Sequence, residues 1–148
     1  MKYKLIILFI IAAVLIGCEP SKKGHNSILF VNNSDDDIYV IEWYYYPDTL
    51  FHHNWNSISS NQDQTKVYAK TSSNKPLWLF WGDTWEMEFR TAIKSDTLLV
   101  FILNVDSIER WENKDNLKLG YHPDDAVLKR LYLSLEDLNC MDWTIVYP

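Results

Sequence analysis

Leu98-Leu99-Val100-Phe101-Ile102-Leu103 is a run of six apolar residues without a break, preceded by Asp96-Thr97. A run of this length, bounded by polar residues, reads as a strand buried on both faces. It is therefore expected to be a central strand of the core. Upstream, Ile38 to Tyr46 has Tyr39, Ile41, Trp43 and Tyr45 at alternate positions, with Glu42 on the other face. Period two with β-branched and aromatic residues predicts a second strand. Downstream, Val127 to Leu133 reads as a strand with Lys129 and Arg130 interleaved, and Trp143, Ile145 and Tyr147 alternate in a last one.

Shorter signals fill the gaps. Ile28 to Val31 is a strand candidate, and Asn32-Asn33-Ser34-Asp35-Asp36-Asp37 is a cluster of turn formers. Together with Ile38–Tyr46 they predict an antiparallel pair. Residues 47–64 read as a long polar connection or edge region, Thr65–Ala69 as a weak strand, 72–76 as a turn and Leu77–Trp81 as a strand closed by Gly82-Asp83. Asp106 with Glu109 three residues on has the form of a helix cap, and Ser134-Leu135-Glu136-Asp137 of another, with one helical turn to about Cys140. No long window keeps a helical period. The expected fold is all-β: an antiparallel β-sandwich or partly closed barrel of about seven strands with one or two short helices.

The N-terminus has a different character. Lys2 and Lys4 form a short positive start, and Leu5 to Ile16 is an apolar run of twelve residues. A membrane span needs about 20 apolar residues, so twelve fits a secretion signal better than a span. The run ends Leu15-Ile16-Gly17-Cys18. This resembles the lipobox of bacterial lipoproteins, in which lipid is attached through the cysteine thiol and the peptidase cuts just before that cysteine. The resemblance implies residues 1–17 as signal peptide and Cys18 as the lipid attachment site. Residues 18–26 are then an acylated cysteine and polar tether, and 27–148 a single β-rich domain. Several acyl chains anchor a protein stably, at roughly 0.8 kcal/mol per buried CH₂.

Further stretches resemble small lipoproteins of unknown function from Bacteroides-type bacteria. They are Val31–Val40, Tyr46-Pro47-Asp48-Thr49, Leu128–Leu138 and Asp142–Pro148. That family lends no activity. In such bacteria, surface-directed lipoproteins tend to carry an acidic run after the cysteine. Here Glu19-Pro20-Ser21-Lys22-Lys23 departs from it, which implies a position at the outer membrane facing the periplasm.

Charge and cysteine count narrow the function. Loss of Lys2 and Lys4 with the leader leaves 12 of 14 basic residues against all 20 acids, a net charge of −8. An acidic surface argues against nucleic acid as partner and against electrostatic adhesion to anionic lipid. With Cys18 consumed by lipid, Cys140 is expected to form no intramolecular disulfide and to be a buried small hydrophobe.

No catalytic, metal or cofactor motif emerges. His52-His53 could join Asp48 or Asp63 at a zinc site, but adjacent strand residues point to opposite faces. Asp83, Glu86 and Glu88 lie near Trp81 and Trp85, the neighbourhood a glycosidase pair would use, but among twenty acids such proximity is cheap. The expected role is non-catalytic, structural or protein-interacting, at a membrane reached through the N-terminal lipid. The alternative is a glycan-binding accessory module, with Trp55, Trp81 and Trp85 as candidate stacking residues.

Overall fold

The computed structural model describes residues 24–47, 62–79, 82–112 and 124–148. Among these, seven strands lie in two sheets with four short helices, sandwich-like and without a closed barrel. The larger sheet has the order β3-β2-β5-β6: β2 is Ile38–Trp43, β3 Lys66–Val67, β5 Leu98–Asn104 and β6 Val127–Leu133. The smaller has the order β4-β1-β7, with β1 at Leu29–Asn32, β4 at Thr71–Ser73 and β7 at Thr144–Tyr147.

The apolar run forms β5, a central strand as expected, and lies between β2 and β6 with Leu98 through Leu103 all buried. Its alternate residues serve two cores. Leu98, Val100 and Ile102 join Ile38 and Val40 in a cluster with Phe30, Ile145, Trp85, Phe89 and Leu138. Leu99, Phe101 and Leu103 pack on the opposite side with Tyr39, Val105, Ile108 and Ala126. That second side is roofed by α3, Val105–Glu112, so both faces of β5 are dry. Each such side chain stabilises the fold by roughly 1.5–3 kcal/mol relative to exposure.

Several expectations are corrected. β1 and β2 are not an antiparallel pair, because the Asn32–Asp37 segment carries the chain from one sheet to the other. The buried Asn32 side chain pins that corner. Its nitrogen donates to the carbonyls of Asp36 at 2.8 Å and of Val67 and Tyr68 at 3.2 Å. Its oxygen accepts from the main-chain N–H and the hydroxyl of Ser34. Nor is the sandwich wholly antiparallel: β1 pairs β7 in parallel, which sets the first described strand beside the last.

Residues expected to be a strand from Leu77 instead begin with a 3-10 turn at Lys75–Leu77, which Pro76 favours by its fixed φ. Trp78 makes one isolated bridge to Ser27, and residues 80 and 81 lie outside the described part. Thr71–Ser73, which overlaps the start of the expected turn, is β4. At the end of the expected polar connection, Gln62–Thr65 forms the short helix α1, which takes in the first residue of the expected strand. Helix α2, Trp85–Thr91, was not expected. Helix α3 is capped by Asn104, whose side-chain oxygen accepts from the Ser107 N–H at 2.8 Å, rather than by Asp106. Helix α4, Leu135–Cys140, has the expected Ser134 cap, completed as a capping box with Asp137.

Candidate functional site

The described chain begins with a docked segment, not a loose one. Gly24 lies so close to Thr84 that a Cβ there would sit 2.5 Å from its γ-methyl carbon. The Trp85 N–H donates to the His25 carbonyl at 2.7 Å, Leu79 N–H to Asn26, and Ile28 N–H to Leu77. Residues 24–26, expected to be tether, are therefore part of the domain.

His25 is held on two sides. Its main-chain N–H donates to Glu86 Oε2 at 2.9 Å, and its ring Nδ1 lies 2.7 Å from Glu86 Oε1. Its imidazole stacks on the Trp143 indole with ring centres 4.0 Å apart and planes 15° apart. Burial acts to raise the Glu86 carboxyl, but the hydrogen bonds from His25 overcome it and hold the group below its ordinary value. Trp143 itself has φ 55°, a left-handed conformation that costs a bulky residue roughly 1–2 kcal/mol. The bonds Trp143 N–H to Leu138 and Leu29 N–H to Trp143 hold it there.

Helix α2 separates Glu86 from Glu88, two of the three acids that the sequence groups together. Glu86 and Glu88 are two residues apart on a helix, so they point to different sides. Glu86 engages His25, while burial and the neighbouring Asp83 charge raise Glu88. Glu42 extends the inward face of β2 beyond Ile38 and Val40, and burial pushes its carboxyl up. Tyr44 is raised by burial and by the charges of Glu42 and Glu88, and its ring meets Trp85 edge-on at 6.2 Å.

Of the candidate stacking residues, Trp55 and Trp81 lie outside the described residues. Trp85 is not a platform: it is 0% exposed, and its indole N–H donates to the Leu77 carbonyl at 3.1 Å. As the first residue of α2, it points into the main core. Among the described residues the exposed rings are Trp78 and several tyrosines. Tyr45 is 70% exposed and Tyr132 49%, and Tyr132 meets Tyr46 edge-on at 5.7 Å. Trp43, Leu99 and Tyr132 are register partners across three strands, and Trp43 meets Tyr45 edge-on at 5.2 Å. Arg130, two residues before Tyr132, lies over the Phe101 ring.

Among the described residues no group of three His, Cys, Asp or Glu could hold a metal ion, and no helix is long and apolar enough to cross a membrane. His52, His53 and Asp48 lie outside them, and Asp63 lies on α1. A hollow of about 270 Å³ lies between α2 and α4, lined by Phe89, Arg90, Asp96, Ser134, Leu135 and Glu136.

Cys140 corrects the sequence reading twice. It is exposed, because it stands two residues after the buried Leu138 and so about 200° round α4. It is also disulfide-bonded. The other cysteine of the sequence, Cys18, lies outside the described residues.

No protein-family model, curated protein or solved structure matches the chain.

Proposed function

We propose that the chain is a non-catalytic lipoprotein of the bacterial cell envelope, held by acyl chains on Cys18 at the outer membrane facing the periplasm, with a structural or protein-interaction role. The observation that carries this reading is the Leu15-Ile16-Gly17-Cys18 lipobox at the end of a twelve-residue apolar run. Its distance from the domain supports the reading, since only residues 19–23 separate Cys18 from Gly24, the first described residue.

Acylation and disulfide formation are exclusive uses of one sulfur. A thioether at Cys18 removes it as a partner for Cys140, so on this reading the disulfide of Cys140 belongs to the unacylated chain and is absent from the mature one. The test is Cys18→Ser in the native cells. The variant should lose the acyl mass and accumulate with its leader uncut. Normal processing and membrane retention of this variant would overturn the reading.

The exposed tyrosines favour a second reading, a glycan-binding accessory module. Tyr45, Tyr46 and Tyr132 offer ring faces and hydroxyls at one end of the larger sheet, and aromatic rings suit stacking on sugar faces. Binding on a glycan array that is lost in Tyr132→Ala would support it. An array without binding would remove it.

A further inference from the structure

We propose that the domain lies on the bilayer through the face around its docked N-terminal segment, with Trp78 as the interfacial anchor. This rests on acylation at Cys18 and adds to it which face meets lipid.

The leash decides how far the domain can go. Five residues, 19–23, join Cys18 to Gly24. Six Cα steps span at most about 20 Å when fully extended. The headgroup layer on each side of the hydrocarbon is about 5–8 Å deep. The domain therefore cannot leave the surface by more than about its own radius.

The docking decides which way the domain faces. Gly24 is seated against Thr84, His25 is held by Glu86 and Trp143, and Asn26 and Ile28 bond to the 77–79 segment. A short leash leaving a rigid root holds that root toward the membrane. A freely jointed tether would not.

Two exposed residues beside the root, Trp78 and Met87, suit lipid. Trp78 pairs with Ser27, three residues or about 10 Å along the segment from Gly24, and is 46% exposed. Met87, 44% exposed, sits on the first turn of α2, whose cap is the Thr84 that touches Gly24. Tryptophan favours the membrane–water boundary, with its ring among the headgroups. The mature net charge of −8 supplies no attraction to anionic lipid, so this contact is apolar and does not weaken when salt is added.

The experiment uses acylated protein, with the acyl mass verified first, in phosphatidylethanolamine/phosphatidylglycerol vesicles whose acyl chains carry bromine. Tryptophan emission of wild type is compared with Trp78→Phe and Trp78→Tyr, each checked for native circular dichroism. Wild type should lose a larger fraction of its emission than either variant, at low and at high salt alike. Equal fractional quenching in wild type and a folded variant would overturn the proposal, as it would if Trp78 were covered by a second copy or a protein. A missing acyl mass would overturn the Cys18 reading instead, and it is seen before lipid is added.

Discussion

The side-chain nitrogen of Asn32 donates to the main-chain oxygen of Tyr68 at 3.2 Å, joining the end of β1 to the turn after β3 across 36 positions of sequence. With the bonds to Asp36, Val67 and Ser34, this one carboxamide fixes the corner where the chain passes between sheets. Asn32→Ala should destabilise the protein by about 2–3 kcal/mol, because it strands buried carbonyls as well as removing bonds. Asn32→Asp should cost at least as much, since a carboxylate cannot donate. Urea unfolding of both variants checks this, and a cost under about 0.5 kcal/mol would remove Asn32 from the account of the corner.

Trp85 and Tyr45 should respond oppositely to truncation. Trp85→Ala opens a large void in the main core and should cost about 3–5 kcal/mol. Tyr45→Ala removes a ring that is 70% exposed and should stay within about 0.5 kcal/mol. Thermal unfolding of the pair compares them. Similar costs would mean that the rings have been assigned to the wrong sides of the surface.

The cap of α4 carries a pH signature. The Ser134 hydroxyl and main-chain N–H donate to the Asp137 carboxylate at 2.6 and 2.8 Å, and hold it below its ordinary value. A carboxyl depressed in the folded state contributes stability that is present above its unfolded pKa and lost as pH falls through the folded one. Ser134→Ala should cost about 1 kcal/mol at pH 7, and the difference from wild type should shrink below about pH 4. A cost that does not change with pH would separate the cap from the ion.

Glu42 has the reverse sign. Burial raises its carboxyl, so ionising it works against folding. Its unfavourable contribution is absent below the ordinary glutamate range and develops as pH rises from there toward the folded value. Glu42→Gln should therefore melt higher than wild type at pH 8 and approach it near pH 4. A variant less stable than wild type at pH 8 would show that the carboxylate is needed in place.

Much of the larger sheet was legible because its signals are local. The unbroken run at Leu98–Leu103 and the β6 segment Val127–Leu133 each state their burial within a few residues, and the Ser134–Asp137 box states its own cap. The β1–β2 connection was misread because Asn, Ser and Asp serve a hairpin turn and an inter-sheet corner equally well. Only the bonds from Asn32 to residues 67 and 68 distinguish them. Helix α2 had a usable signal in Thr84 followed by Glu86 and Glu88, a cap and two acids at a helix start. The hold on His25 had none, since Glu86 and Trp143 come to it from distant parts of the chain.

Everything proposed about place depends on the sulfur of Cys18, and the mass of the mature protein from its native cells reads that sulfur directly. The mature chain should begin at residue 18 and be heavier than its sequence by the acyl groups, with no peptide linking Cys18 to Cys140. A chain of unmodified mass, or a digest containing that cross-linked peptide in the mature protein, would contradict it.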